Sequence, residues 1–226
     1  MAIVKPFKGL RPPVSIVENL SCLPYDVMNA AEAAQMAAGK PESLLHVTRS
    51  EIDCSAGCDT HSQEVYRKSA ENFMKLRQTG WLLQDPEPHF YIYAQTMNGT
   101  TQYGIVGCAA CQDYMDGIIK KHELTRVDKE DDRMVHIHIN NANIEPVFLS
   151  YRAVPEIDEI IERVVKQDTP VYDFIASDGF GHQFLGNQGH NHQSKIGTLV
   201  CRKSTLHVRG RWPPSYRSSS PCRHRT

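Results

Sequence analysis

The densest chemistry in the chain lies in "IIKKHELTRVDKEDDRMVHIHINNANIEP". Within it stand Lys120, Lys121, His122, Glu123, Arg126, Asp128, Lys129, Arg133, His136 and Asn143. Arginine forks and lysine ammonium groups bind phosphate, and a histidine beside a carboxylate can move a proton or hold a metal. Such a density of cations suits an anionic substrate. The competing reading is a solvated loop whose charges pair with each other, as "VDKEDDR" by itself suggests, and the residue types alone leave both open.

Other clusters carry less. Cys54 and Cys58, with Cys108 and Cys111, have the types for a four-thiolate zinc site. The second pair lies in an apolar run, "GIVGCAACQDY", where strand alternation sends the two thiols to opposite faces, so small buried residues are the expectation and no metal is assigned. In "MVHIHINNAN", His136 and His138 share a face if the segment is extended; a half-buried hydrogen-bonded pair is the commoner outcome there than a metal pair. "GHNHQ" resembles a chelator without a scaffold.

The elements that must position these groups read as follows. "DVMNAAEAAQMAAGK" is a helix, capped by Asp26 or Asn29 and stopped by Gly39. "SLLHVTRSEID" is a short strand or a single turn beside a loop. "HSQEVYRKSAENFMKLRQTGW" is a helix with Val65, Tyr66, Phe73 and Leu76 near one stripe and Gly80 at its end. "HFYIYAQTM" and "TQYGIVGCAACQDY" are strands joined by the hairpin signal "NGT". "VFLSYR" is a strand, "PEIDEIIERVVKQ" a helix opened by Pro155, and "VYDFIAS" a further strand. The fold class is α+β, a mixed arrangement of hairpin and strand–helix–strand units around one sheet.

Charge divides the chain. The first 178 residues hold all 26 acidic residues against 17 Lys plus Arg, a balance of 17 − 26 = −9, and no Asp or Glu follows Asp178. That balance argues against nonspecific nucleic-acid binding, which needs a basic face. No stretch has the length and apolarity of a membrane span or signal peptide, so a soluble, cytoplasmic protein is expected. Seven cysteines without such a signal read as free thiols. From about Leu185 the pattern stops, in a segment rich in Ser, Pro, Gly and Arg with little to bury; residues 185–226 are expected to be a disordered tail following a 1–184 domain part.

At "KHELTRVDKEDDR", "NANIEPVFLSYR", "LPYDV", "LLHVTRSEID" and "IVKPFKGLRP" the sequence resembles the bacterial family known as domain of unknown function 1015, over residues 2 to about 184. Members are roughly twice this length. They carry a segment of the type Tyr-Val-Ala-Asp-Gly-His-His-Arg, followed by an alanine-rich helix, near where this chain loses its pattern.

The tail can be read one base later. Trp212 is always TGG and Pro213 begins CC, which forces Gly in the shifted frame; the neighbouring codons permit Asp-Gly-His-His-Arg-Thr-Ala-Ala-Ala over "RGRWPPSYRSSS". Residues from about Leu185 are therefore expected to be out of frame and the chain truncated. An arginine-rich nucleic-acid arm is the alternative at face value.

The family segment is similar to the motif of the ParB and sulfiredoxin-like group, which includes nucleotide-dependent free-serine kinases and places phosphate at a helix N-terminus. The resemblance implies phosphoryl chemistry on a small phosphorylated amino acid such as phosphoserine, with phosphatase and kinase both open. It implies substrate binding by Lys121, Arg126, Arg133 and Asn143, and acid–base or orienting roles for His122, Glu123 and His136. Residues 119–143 would line a concave, positive rim, with Asp128 to Asp132 turned to solvent. No cofactor is fixed, a nucleotide or Mg2+ being the candidates; the implied partner is a small phosphorylated metabolite. A ParB-like nucleotide- or nucleic-acid-binding module without catalysis is the alternative, and a scaffold for the missing half a third. As a half-site, the truncated chain is expected to be inactive.

Overall fold

The computed structural model describes residues 2–55, 57–121, 126–186 and 207–208. Of the expected 185–226 tail, Leu185 and Gly186 are described, in the strand Gly181–Gly186, and His207–Val208 as a short strand; the other tail residues lie outside the described residues, as do His122 and Glu123. The chain is α+β and divides into two units, one of Met1–Leu20, Thr79–Lys121 and Ser150–His207, the other of Ser21–Gln78, His122–Leu149 and Val208–Thr226.

In the first unit, β1 (Val4–Lys5) and β2 (Leu10–Arg11) precede a single-turn helix, α1 (Val17–Leu20). In the second follow α2 (Ala30–Ala37), α3 (Leu45–Thr48) and α4 (Gln63–Gln78). The chain re-enters the first unit with β3 (Leu83–Gln84), β4 (Tyr91–Met97), β5 (Thr100–Val106), β6 (Cys108–Ala109) and α5 (Cys111–Met115). The second is completed by α6 (Val127–Asn140); β7 (Leu149–Ser150) leads back to α7 (Pro155–Gln167), β8 (Tyr172–Ile175) and β9 (Gly181–Gly186).

The first unit is built on an antiparallel sheet in the order β5-β4-β9-β8. Its hairpin turns at Asn98 and Gly99, both at positive φ, which is what a two-residue turn needs to match the strand twist. Alternation then fixes the faces. Ile105, Ile92 and Leu185 lie in register across three strands and pack with Ile157, Ile160, Ile161 and Val164 of α7, at helical spacing. The other face carries aromatics: Tyr91 stacks on Phe184 at 5.1 Å, and Phe174 on His182 at 5.3 Å. The sheet continues through Leu185, which is 1% exposed, and Gly186, paired with Tyr91. Two separate two-stranded pairs, β1–β6 and β2–β3, belong to the same unit.

The second unit is helical. Asn29 opens α2 with a full capping box: its side chain accepts from the Glu32 backbone while Glu32 accepts from the Asn29 N–H. Ala33, Ala37, Met28 and Leu45 form its small core. "SLLHVTRSEID" folds as α3 and a 3-10 turn, Ser50–Asp53, instead of a strand, because its buried residues Leu45, Val47 and Thr48 follow a turn's spacing. "MVHIHINNAN" also departs from an extended reading: it forms the last turns of α6, ended by left-handed Asn141, so His136 and His138 diverge. The β-run through Cys111 is likewise shorter than expected. It stops at Ala109, and Cys111 opens α5.

Helices α4 and α6 meet on a polar seam. Asp132, His136 and Asn140 recur every four residues on α6 and are all buried. They face Tyr66 and Ser69 of α4, which the Tyr66 hydroxyl and the Ser69 Oγ join by hydrogen bonds to Asp132 and to the His136–Asn140 pair. A helix whose buried stripe is polar shows no apolar period, which is why a solvated loop stays open as a reading of this one from sequence.

Candidate functional site

The seam ends in an ionic cluster around Arg133. Its guanidinium lies over the Tyr25 ring, with Cζ 3.8 Å from the centroid. Nε and Nη2 donate to Asp132 Oδ2 at 3.1 and 2.7 Å, and Nη1 makes a longer ion pair of 3.5 Å with Glu145. This geometry uses what arginine has and lysine lacks, a flat fork that stacks on a ring while chelating a carboxylate.

The far oxygen of the same carboxylate, Asp132 Oδ1, accepts from the Tyr66 hydroxyl at 2.8 Å and stands 3.1 Å from His61 Nδ1. Burial works to raise the Asp132 pKa, but the Arg133 charge and the hydrogen bonds from Arg133, Tyr66 and His61 outweigh it and hold the group below the usual carboxylate range. Glu145 goes the other way. Burial raises it, and the Arg133 charge and the Tyr25 backbone N–H offset this only in part. Arg133 sits within a cluster whose two carboxylates differ in how firmly they stay ionised.

Arg49 fixes the loop that brings Tyr25 in. Its Nη1 donates to the carbonyls of Tyr25 and Met28 at 2.7 and 2.8 Å, and its Nε pairs with Glu51 at 2.6 Å. Cys22 lies in the same neighbourhood; burial pushes its thiol up to about 11, and Glu145 adds to the rise.

The expected site residues are distributed as follows. Arg133 is in the cluster. His136 is one seam position away, with Nε2 2.9 Å from the Val47 carbonyl and 3.1 Å from Ser69 Oγ, and Nδ1 3.3 Å from the Asn140 amide nitrogen. A carbonyl only accepts, so Nε2 carries the proton; an amide nitrogen only donates, so Nδ1 is the acceptor. Burial, reinforced by the charge of Arg133, depresses the ring to about 4 and keeps it neutral. Nε2 thus ties α6 to Ser69 of α4 and to the Val47 carbonyl, while Nδ1 is occupied by Asn140 one turn further along α6. Arg126 is exposed and pairs with Asp128 at 2.6 Å, and Asn143 is exposed beyond α6. Lys121, in the first unit, lies over the Tyr114 ring at 4.7 Å.

The expectation that Asp128 to Asp132 all turn to solvent needs correcting. Because the segment is helical, Glu130 and Asp132 face inward and are buried, and Asp132 partners Arg133. Sequence reasoning also passed over Tyr25, His61, Tyr66, Asp132 and Glu145. No local signal marks them: it is the fold that brings residues of "LPYDV", "LLHVTRSEID", "DDR" and "NIEP" to, or beside, the Arg133 cluster.

Among the described residues no three His, Cys, Asp or Glu side chains are grouped to hold a metal ion, and no helix is long and apolar enough to cross a membrane. A family model described as "Protein of unknown function (DUF1015)" matches residues 4–204. No curated protein and no solved structure matches the chain.

Proposed function

The chain belongs to the DUF1015 family, and from that premise we propose that it contributes the phosphate-binding part of an enzyme acting on a small phosphorylated amino acid such as phosphoserine. Arg133 is the residue that meets the phosphate. What supports this reading is one observation: four of the five segments that carry the family resemblance meet at or beside a single arginine held flat on Tyr25 and clamped by Asp132. An arginine prepared in this way loses little freedom when it takes a ligand.

Of its contacts, the one to Glu145 is the weakest, at 3.5 Å against 2.7 Å to Asp132. Glu145 is also the carboxylate whose ionised form burial disfavours. A phosphate oxygen replaces Glu145 at Nη1, while Asp132 keeps the fork in place. The acidic surroundings suit the ammonium group of an amino acid, so a zwitterionic phosphate fits better than an inorganic one.

Calorimetric titration of phosphoserine into the 226-residue chain tests this. Phosphoserine binds, serine does not, and Arg133→Lys weakens binding about tenfold or more because an ammonium neither forks nor stacks. The proposal fails if phosphoserine does not bind, or if Arg133→Lys binds it as the unsubstituted chain does.

A further inference from the structure

The four-stranded sheet of the first unit ends in β5. Among the described residues no strand pairs with the outer side of β5, and Thr100 to Gly104 are exposed. We infer that this edge is a docking surface for a second copy of the chain: β5 pairs with β5 of the partner, antiparallel about a twofold axis at Tyr103, and two four-stranded sheets become one.

The two edges of the sheet differ in what deters a partner. Strand β8 is short, carries Asp173 and follows Pro170, devices that keep an edge from pairing. Strand β5 has none of them. It runs the full length of β4 in unbroken register, so no bulge twists it away. No Asp, Glu, Lys, Arg or Pro stands between Phe90 and Gln112. In a chain with 23% charged residues, that leaves this hairpin without the repulsion that would hold two copies apart.

The backbone pattern sets the register. The turn at Asn98 and Gly99 makes Met97 and Thr100 a hydrogen-bonded pair, so the bonds to β4 fall at Thr100, Gln102, Gly104 and Val106. Thr101, Tyr103 and Ile105 therefore turn their N–H and C=O groups outward. Pairing about Tyr103 sets that residue against its own copy, Thr101 against the partner's Ile105, and Thr100 against the partner's Val106. Aromatic and β-branched pairs of this kind hold strands together. Gln102 then faces the partner's Gly104. Gly104 is exposed and not at positive φ, and a Cβ there would meet only the Tyr93 carbonyl, at 3.9 Å, so the fold of one chain does not require glycine at this position. Glycine inside a strand marks close approach by another backbone. Here it leaves room for the partner's Gln102.

An interface of one strand pair is small, so a weak dimer with a micromolar dissociation constant is expected. Sedimentation equilibrium of the full chain at neutral pH, over a series of concentrations, measures it. Tyr103 is 40% exposed, so its substitution leaves the core in place. Tyr103→Lys and Tyr103→Glu each lose the aromatic pair and set like charges against each other, and each should weaken dimerisation about tenfold or more. An equimolar mixture of the two should recover the dimer, because Lys then faces Glu across the axis. Thermal melts establish that both variants fold. Thr101→Pro, which removes an outward N–H and no bond to β4, serves in their place if they do not, and should likewise weaken the dimer. A chain that stays monomeric at every concentration overturns the inference, as it would if the edge instead took an extended segment of another protein. Dimers that survive unchanged in the variants, or a mixture no more dimeric than its components, overturn it equally.

Discussion

Tyr66 on α4 and Asp132 on α6 are joined by a 2.8 Å hydrogen bond between two buried side chains. The phenol donates to the oxygen that also faces His61, while the opposite oxygen is gripped by Arg133. The bond therefore has two consequences, one for the packing of α4 on α6 and one for the orientation of the ionic cluster.

Tyr66→Phe separates these consequences. The ring still fills its place, but one acceptor site of a buried carboxylate is left to His61 alone. The expected cost is about 1–3 kcal/mol, the usual penalty for removing one partner of a buried hydrogen bond to a charged group. Denaturant unfolding at pH 7 measures it. A change within error of zero would mean that Asp132 is satisfied without the phenol.

His136 makes a prediction about acid. Its folded-state pKa, about 4, lies below the ordinary 6.5 of an unfolded histidine, because burial and Arg133 oppose the charge. Between those two values the unfolded chain binds the proton and the folded chain does not, so stability falls as pH drops from 6.5 towards 4. The full difference is on the order of 3 kcal/mol. His136→Gln keeps a donor for the Val47 carbonyl, cannot titrate, and should flatten that part of the curve relative to the unsubstituted chain. If its pH dependence between 6.5 and 4 is unchanged, the ring is not the source.

The first unit was legible in sequence for a physical reason. Its sheet and α7 bury apolar side chains, so a β-rich run and period 3.6 are written in the residue types: Tyr91 to Ala94 is a continuous apolar run, and Ile157, Ile160, Ile161 and Val164 form a stripe. The Asn-Gly turn was equally direct, because its chemistry is local, and of the two caps the sequence offers for α2, Asp26 and Asn29, it is Asn29 that opens the helix. The second unit hid its most important helix. In α6 the inward positions are Glu130, Asp132, His136 and Asn140, and the last three are held by partners on other elements that no local pattern reveals. Arg133 could be named from its type, but Tyr25, Tyr66, His61 and Glu145 could not, because what distinguishes them is nearness across the fold. His136 was picked for the same chemistry that makes it a good packing residue: two polar nitrogens that find an acceptor in Val47 and a donor in Asn140.

Leu185 tests how much of the first unit depends on its last described strand. It stands opposite Ile92, is 1% exposed, and packs in the cluster with the buried residues of α7. Leu185→Ala removes buried methyl groups and leaves a cavity that a four-stranded sheet backed by a helix can close only in part, so a cost of about 2–5 kcal/mol is expected. Ile175, by contrast, is 75% exposed at the end of β8, and Ile175→Ala should change stability by no more than about 0.5 kcal/mol, as surface substitutions do. Parallel unfolding curves of the two variants make the comparison. Equal effects would place the weight of the core elsewhere, whereas a large loss confined to Leu185→Ala ties β9 through Leu185 to the stability of the sheet.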